Sequence, residues 1–333
     1  MLTKTIAFTG IKTAELIDTE VKQVEGNLVK VKMEYTVISG GTEKANLLGM
    51  NNTSKIFPKF LGYCGVGFVT EIGDKVQSVS VGDRVLVYHG IHTQYNVVPE
   101  NDVTKVEYDN VDSLDVAFVV IASMGLGGVR KLEVELGESA MVIGLGLLGI
   151  FSVQFLRLSG AYPVIAVDID AKRRELALKL GADFAFDPLD VDFAKKVREV
   201  TKGKGVNATV EVTGAATAMK TALECASYMG RISLLGCTRV SDCAIDYYSQ
   251  VHTPGIKIIG AHNFVRPKVE SYPHHWTHQD DCKAILGLLA ANRIAVRPIV
   301  SRVVSPEQAP QIYTELCESK EFPMGTVFDW RNI

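Results

Sequence analysis

Three glycines have the spacing of a turn that binds a dinucleotide. They form the pattern Gly144-x-Gly146-x-x-Gly149 inside AMVIGLGLLGI, between a short apolar run and an amphipathic segment. Gly144 lets the chain leave a strand in a tight turn, Gly146 lets the backbone approach a pyrophosphate, and Gly149 lets a helix pack close to the sheet. The N–H groups and the positive dipole end at the N-terminus of that helix then favour the anion.

An aspartate after the next apolar run bears on the choice of cofactor. Asp168 lies in PVIAVDID, about 20 residues further on, where a carboxylate accepts hydrogen bonds from the adenosine ribose hydroxyls. A carboxylate at this place repels a 2′-phosphate, so the sequence predicts NAD(H) and makes NADP(H) less favoured. Arg173, in the segment that follows, either lies along the adenine or is an ordinary exposed helix charge.

The composition excludes several classes of partner. A chain of 333 residues with a net charge of -3 and no basic run predicts two domains and no nucleic-acid partner. No apolar stretch reaches about 18 residues, and the N-terminus lacks a signal-peptide core, so we expect no membrane partner and a cytoplasmic location. The six cysteines are scattered without a CxxC pair, which indicates reduced, structural thiols.

Periodicity predicts the elements that position the glycine turn and Asp168. Alternating polarity from 29 to 37, with similar shorter segments after it, predicts that the first 115 or so residues are all β. After residue 118, β runs alternate with helical patterns, which is typical of a parallel sheet. One helix is predicted from Asp170, as N-cap, to Gly181, as the glycine after its end. The β runs lie near 139–143, 163–168, 207–212, 231–235 and 256–260.

The C-terminal tail does not continue this alternation. Its two amphipathic segments are each followed by a β-like run, and we assign them to the first domain. The prediction is therefore a discontinuous domain of residues 1–117 and 263–333, with a dinucleotide-binding domain of residues 118–262.

Four sequence motifs together make the chain resemble the medium-chain dehydrogenase/reductase superfamily, whose members are like the zinc-type alcohol dehydrogenases. The resemblance implies an α/β fold class, with a GroES-like β-rich catalytic domain and a Rossmann doubly wound parallel sheet. It places Thr213 and Leu235 near the nicotinamide, although both could equally be ordinary strand ends. It also assigns the backbone N–H groups of Leu147 and Leu148 to the pyrophosphate. The motifs are VGDRVLV, GLGLLG with its following Asp168, VEVTG at 210–214 and GRISLLG at 230–236.

The positions that bind catalytic zinc in many members of this superfamily have changed. A Cys-Gly-Thr/Ser-Asp motif is here Gly40-Gly41-Thr42-Glu43, and a Gly-His-Glu motif is Gly62-Tyr63-Cys64. Glycine has no ligand atom and a neutral tyrosine is a poor ligand. No Cys, His, Asp or Glu occurs between Asp115 and Glu133, and the cysteine-rich lobe is absent. We predict neither catalytic nor structural zinc. ISGGTEK with Gly-Tyr resembles a zinc-less branch that includes bacteriochlorophyllide dehydrogenase-like proteins, and we do not carry over the pigment substrate.

Three polar residues match ligand or pocket positions of the zinc-using relatives and are the candidate catalytic residues. Thr42 matches the hydroxyl that hands on a proton, or it only stabilises a turn. Tyr63 is a candidate donor to the substrate oxygen, or it only packs. His92 matches a pocket-lining position and suits proton exchange at neutral pH, or it is structural. The histidines of YPHHWTHQD, His274, His275 and His278, are interpreted as a polar loop.

The leading prediction is an NAD(H)-dependent, zinc-independent oxidoreductase that acts on a secondary alcohol or ketone, with a polyol or sugar-like substrate possible. One alternative is an NADPH-dependent quinone or enoyl reductase of the same superfamily, and another is a dinucleotide-binding sensor without turnover. The apolar strand IKIIGA, Ile256 to Ala261, is expected to end the sheet and to join two copies in a homodimer.

Overall fold

The computed structural model describes residues 1–319 and 321–333. They form two compact units, residues 1–121 with 282–333 and residues 122–281. The strands in this part of the chain are β1 Leu2–Gly10, β2 Thr13–Glu20, β3 Leu28–Val37, β4 Cys64–Ile72, β5 Arg84–Tyr88, β6 Tyr95–Pro99, β7 Val103–Lys105, β8 Ala140–Ile143, β9 Val164–Val167, β10 Phe184–Phe186, β11 Val206–Glu211, β12 Ala226–Leu234, β13 Lys257–Gly260, β14 Arg302–Val304 and β15 Thr326–Asp329. The helices are α1 Gly40–Leu47, α2 Ser113–Val116, α3 Val119–Arg130, α4 Leu147–Leu158, α5 Ala171–Lys179, α6 Phe193–Val200, α7 Ala216–Cys225, α8 His278–Ala290 and α9 Ala309–Glu318.

The first unit is built on a mostly antiparallel sheet. Its strand order is β14-β15-β3-β4-β5-β7, and β6 also pairs with β3. The alternation predicted for β3 places Val29, Val31 and Met33 in the core, together with side chains from α9 and β15. The hairpin β1-β2 forms a separate two-stranded sheet. The last part of the chain therefore completes the core that the first part begins.

The prediction that the first 115 residues are all β is wrong at the segment that carries Thr42. Residues Gly40–Leu47 form the helix α1, and Thr42 lies in its first turn. The two leading glycines and the short length give no clear helical period, so tertiary packing decides the local structure. The buried face of α1 consists of Glu43, Ala45 and Leu47.

The second unit contains the predicted doubly wound parallel sheet. Its order is β10-β9-β8-β11-β12-β13, and every neighbouring pair is parallel. The core is formed by apolar residues of the strands and of helices α6 and α7. Asp170 caps α5, accepting hydrogen bonds from the N–H groups of Lys172 and Arg173, and Gly181 follows the helix with φ +117°. These features confirm the predicted strand-and-helix pattern.

Residues 263–281 group with the second unit, although the sequence analysis assigned them to the first domain. Their side chains explain why. Arg266 bonds to the carbonyl oxygen of Ser123, and Asp281 bonds to Arg130, so both attach this segment to α3. No helix in the described part of the chain has both the length and the apolar character needed to cross a membrane.

Candidate functional site

The glycine turn of the second unit has the geometry that binds a pyrophosphate. Gly144 follows β8 with φ +94°, and Gly146 caps the N-terminus of α4. A Cβ on Gly149 would overlap the carbonyl oxygen of Gly144, whereas a Cβ on Gly146 would meet nothing within 4 Å. The space next to Gly146 can therefore admit a ligand. The N–H groups of Leu147 and Leu148 lie in the first turn of α4, where a helix supplies no carbonyl partner.

Asp168 lies directly after β9, and its carboxylate is tied to the glycine turn. Its Oδ2 accepts the N–H of Leu145 at 2.7 Å, and its Oδ1 accepts the N–H of Asp170 at 2.9 Å. Arg173 is close, with Nη1 3.9 Å from Asp168 Oδ2 and Nε 3.7 Å from Asp170 Oδ2. The predicted carboxylate and arginine are thus neighbours at the carboxyl edge of the sheet.

A buried glutamate, which the sequence analysis did not single out, holds Thr213 in this region. Glu211 Oε1 accepts the N–H of Thr213 at 2.7 Å, the hydroxyl of Thr213 at 2.5 Å and the N–H of Gly214 at 3.1 Å. Burial raises the pKa of Glu211, and the bonds from Thr213 and Gly214 lower it. The signal in the sequence was a single acid inside the apolar run of VEVTG.

The same glutamate connects the two strand ends that the resemblance placed near the nicotinamide. The N–H of Leu235 bonds to the carbonyl oxygen of Glu211 at 2.9 Å. A Cβ on Gly144 would lie 2.6 Å from Thr213 Cγ2, so the threonine packs directly against the glycine turn. The structure therefore brings Gly144, Thr213 and Leu235 to one edge of the sheet.

In the first unit, three hydroxyl groups lie together, and one of them was missed. The phenol of Tyr63 donates a hydrogen bond to Ser39 Oγ at 2.6 Å. Burial raises the pKa of Tyr63, while hydrogen bonds with Ser39 and Thr42 lower it. All three side chains are only half-buried. Ser39 lies just before α1, and no sequence pattern distinguished it from a loop serine.

His92 is in the interior, with 1% of its surface exposed, and both ring nitrogens have partners. Nδ1 lies 2.6 Å from Thr36 Oγ1, and Nε2 lies 3.3 Å from both carboxylate oxygens of Glu43. The indole N–H of Trp330 donates to the same Thr36 oxygen at 2.8 Å. This pattern is satisfied when Thr36 donates to Nδ1 and His92 donates from Nε2. The structure thus holds His92 away from solvent, in contrast to the predicted proton exchange with a substrate.

Glu43 connects this interior network to the hydroxyl groups. Its Oε1 accepts the N–H of Ser39 at 2.8 Å, and its Oε2 accepts the phenol of Tyr313 at 2.6 Å. Burial raises the pKa of Tyr313, and the carboxylate of Glu43 raises it further. Among the described residues, the hydrogen bonds of the His92 ring therefore lead to Tyr63 through Glu43 and Ser39.

The residues at the zinc positions of the relatives do not fit a zinc ion. Gly40, in the first turn of α1, has no side chain, and the phenol of Tyr63 is hydrogen-bonded to Ser39. Neither position therefore supplies the thiolate or imidazole that binds zinc in the relatives. Within residues 1–319 and 321–333, no three His, Cys, Asp or Glu side chains are grouped so that they could hold a metal ion. His274, His275 and His278 form no such group either.

Comparison with known proteins agrees with this architecture. Residues 148–273 match the family model described as zinc-binding dehydrogenase. The chain is 26% identical to D-guloside 3-dehydrogenase of Escherichia coli K12 over 98% of this chain and 100% of that protein. It is 30% identical to L-threonine 3-dehydrogenase of Pyrococcus horikoshii over 67% of this chain and 72% of that protein.

A solved structure has the same fold over nearly the whole length. It is a zinc-binding dehydrogenase from Sinorhizobium meliloti 1021 bound to NADP, with a TM-score of 0.83, 21% identity and 99% of both chains covered. The protein belongs to the zinc-binding dehydrogenase family, within the medium-chain dehydrogenase/reductase superfamily. It is an NAD(P)-dependent dehydrogenase, and the predicted superfamily and fold class are confirmed.

Proposed function

We propose that the protein is an NAD(H)-dependent, zinc-independent oxidoreductase of secondary alcohols and ketones, with a polyol or sugar derivative as substrate. The observation that carries this proposal is the hydrogen-bonded cluster of Ser39, Thr42 and Tyr63 where zinc-using relatives place their ligands. A relative that matches over its full length is named D-guloside 3-dehydrogenase, which supports a carbohydrate-like alcohol.

The cluster can hold a substrate oxygen and move its proton. When bound, the nicotinamide supplies the acceptor or donor for hydride. In alcohol oxidation the hydroxyl proton must leave, and Thr42 and Ser39 are half-buried and so within reach of solvent. Their hydroxyls accept one proton while they pass on another, which leaves to water. The pKa of Tyr63 is raised by burial, so its phenol stays protonated. Its single O–H donates to Ser39 in this structure, and it must turn to the substrate to stabilise the developing oxyanion. His92 and Glu43 act by holding Ser39, without contact with the substrate.

The preference for NAD(H) rests on Asp168. Its carboxylate is fixed beside the glycine turn by the N–H groups of Leu145 and Asp170. A fixed negative charge there repels a 2′-phosphate. Arg173 lies close enough to attract one, which keeps the NADPH-dependent quinone or enoyl reductase as the second candidate. A sensor without turnover would need none of the three hydroxyl groups.

A cofactor-reduction screen tests the function. Protein prepared without added metal and treated with a chelator is mixed with polyols, sugars, glycosides and simple alcohols, and the absorbance of reduced cofactor is followed with NAD and with NADP. We expect turnover with NAD and a polyol or glycoside. A second arm follows the loss of NADPH with quinones and enones. Turnover only in that arm would favour the second candidate, and no turnover in either arm would favour the sensor.

A variant without the charge of Asp168 tests whether that residue sets the preference for NAD over NADP in the same screen. Asp168→Asn removes the repelling charge, and we expect the preference for NAD over NADP to shrink about tenfold, the size of one modest charge interaction. Asp190→Asn, an exposed acid paired with Lys196, is the matched control and should change nothing. An unchanged preference in Asp168→Asn would remove the basis for the NAD assignment.

We also propose a homodimer joined through β13. This strand ends the six-stranded sheet, and Ile258 on it is 37% exposed. An unpaired apolar edge favours pairing with a second copy of the same strand. In sedimentation at micromolar concentration we expect a dimer, and Ile258→Lys should shift it to the monomer.

Val303→Lys is the control for that experiment. Val303 is 41% exposed on β14, which ends the sheet of the first unit. It should leave the dimer intact. A wild-type protein that sediments as a monomer would contradict the proposal.

A further inference from the structure

A cavity lined by several cationic side chains, and open to solvent, lies in the second unit. Its lining includes none of the residues of the glycine turn and none of the hydroxyl cluster. The residues that give it its character are Arg130, Lys131, Arg266, His274, His275 and Trp276. They come from the end of α3 and from the segment between β13 and α8.

The charges of this cavity do not balance. Asp281, which is 1% exposed, is the one carboxylate in its lining. Asp281 accepts hydrogen bonds from Arg130 Nε at 2.7 Å and from Arg266 Nη1 at 2.6 Å. With Lys131, three cationic side chains face one anion, which leaves a net charge of about +2 when the histidines are neutral.

The two guanidinium groups are fixed in place. Arg266 also donates to the carbonyl oxygen of Ser123, and its side chain is 9% exposed. Gly127 makes room for it, because a Cβ there would overlap the guanidinium. The guanidinium carbon of Arg130 lies 3.9 Å from the ring centroid of Trp276. Donors that are already oriented lose little entropy when they bind a ligand.

We propose that this cavity binds a phosphate group, either as the free ion or as the ester of a small metabolite. Asp281 uses one N–H of each arginine, and the remaining guanidinium donors and the ammonium of Lys131 match the several acceptor oxygens of a phosphate. The imidazoles of His274 and His275 add donors at the same opening. Asp281 holds the guanidinium groups of Arg130 and Arg266 next to each other despite their like charge. A bound phosphate would neutralise the positive charge that remains.

Calorimetric titration of inorganic phosphate, at constant ionic strength and with saturating NAD, tests the proposal. Because NAD fills the glycine turn, any phosphate binding that the titration detects occurs at a second anion site. Arg130→Gln should weaken phosphate binding by about tenfold or more, since charge-assisted hydrogen bonds are lost. Lys131→Gln should weaken it severalfold, and it keeps the proposal testable if the arginine variant does not fold. Lys220→Gln, an exposed lysine on α7 paired with Glu224, should leave binding unchanged.

Asp281→Asn separates a binding role from a structural one. Removal of its charge should make phosphate bind more tightly, whereas a purely structural salt bridge predicts no gain. If glycerol 3-phosphate binds more tightly than inorganic phosphate, the ligand is an ester. If the two affinities are equal, the ligand is the free ion. The proposal is overturned if phosphate does not saturate, if acetate binds as well as phosphate, or if Lys131→Gln and a folded Arg130→Gln bind like the wild type. Because these variants lie outside the cofactor turn, the result does not depend on the proposed dehydrogenase activity.

Discussion

Tyr63→Phe is expected to lower turnover by about 10²-fold, on the scale of a lost oxyanion donor or acid–base group. The substitution keeps the ring and removes the hydroxyl that bonds to Ser39. In the proposed zinc-independent mechanism, hydrogen-bond donors stabilise the substrate oxygen in place of a zinc ion. The affinity for NAD should change little, because the proposed cofactor-binding residues belong to the other unit. Steady-state kinetics with cofactor titration measures both quantities.

Variants of the neighbouring hydroxyls distinguish a relay from packing. Thr42→Val and Ser39→Ala should each reduce turnover, and His92→Ala should do so through the loss of support for Ser39. Tyr228→Phe is the control, since Tyr228 is 76% exposed. Full activity in Tyr63→Phe would refute the role of the phenol. Stoichiometric zinc in protein prepared without added metal, with activity lost on chelation, would overturn the mechanism.

Glu43→Ala should reduce the free energy of unfolding by about 3–5 kcal/mol, the cost of breaking a buried polar pair. The carboxylate accepts hydrogen bonds from Ser39, Tyr313 and His92 in the interior. Its removal leaves buried donors without partners and opens a cavity. Chemical denaturation with the linear extrapolation method gives the difference directly.

Two further variants serve as controls for the loss of stability in Glu43→Ala. Glu43→Gln keeps the shape and part of the acceptor capacity, so it should cost less than Glu43→Ala. Glu15→Ala, at an exposed position of β2, should change the stability by less than about 0.5 kcal/mol. If Glu43→Ala unfolds at the same denaturant concentration as the wild type, the network does not stabilise the unit.

Local patterns predicted the second unit well. The glycine turn, the carboxylate after β9 and the cap at Asp170 each depend on residues a few positions apart, and such short-range geometry is specified by sequence. The strand β10 was not predicted, because its three residues are too few for a period to be visible.

The first unit was predicted less well because its polar network joins distant parts of the chain. Tyr313 meets Glu43 across 270 positions, and Trp330 meets Thr36 across 294. No spacing rule operates at that distance. The burial of His92 and the role of Ser39 follow from this packing, so a single sequence could suggest the residue types without showing which of them face a substrate.

The discontinuity of the first unit sets an order for events on the ribosome. Residues 122–281 leave the ribosome as one uninterrupted stretch, and domains generally fold as units during synthesis. The unit that starts first must wait for β15 to pair with β3 and for Trp330 to reach Thr36. Until then β3 lacks its partner β15 and Glu43 lacks Tyr313. Until β15 is added, residues 122–281 are complete while β3 in the first unit still has part of one edge unpaired. An unpaired strand edge is a site where chains aggregate, so pairing of β15 with β3 also protects the new chain.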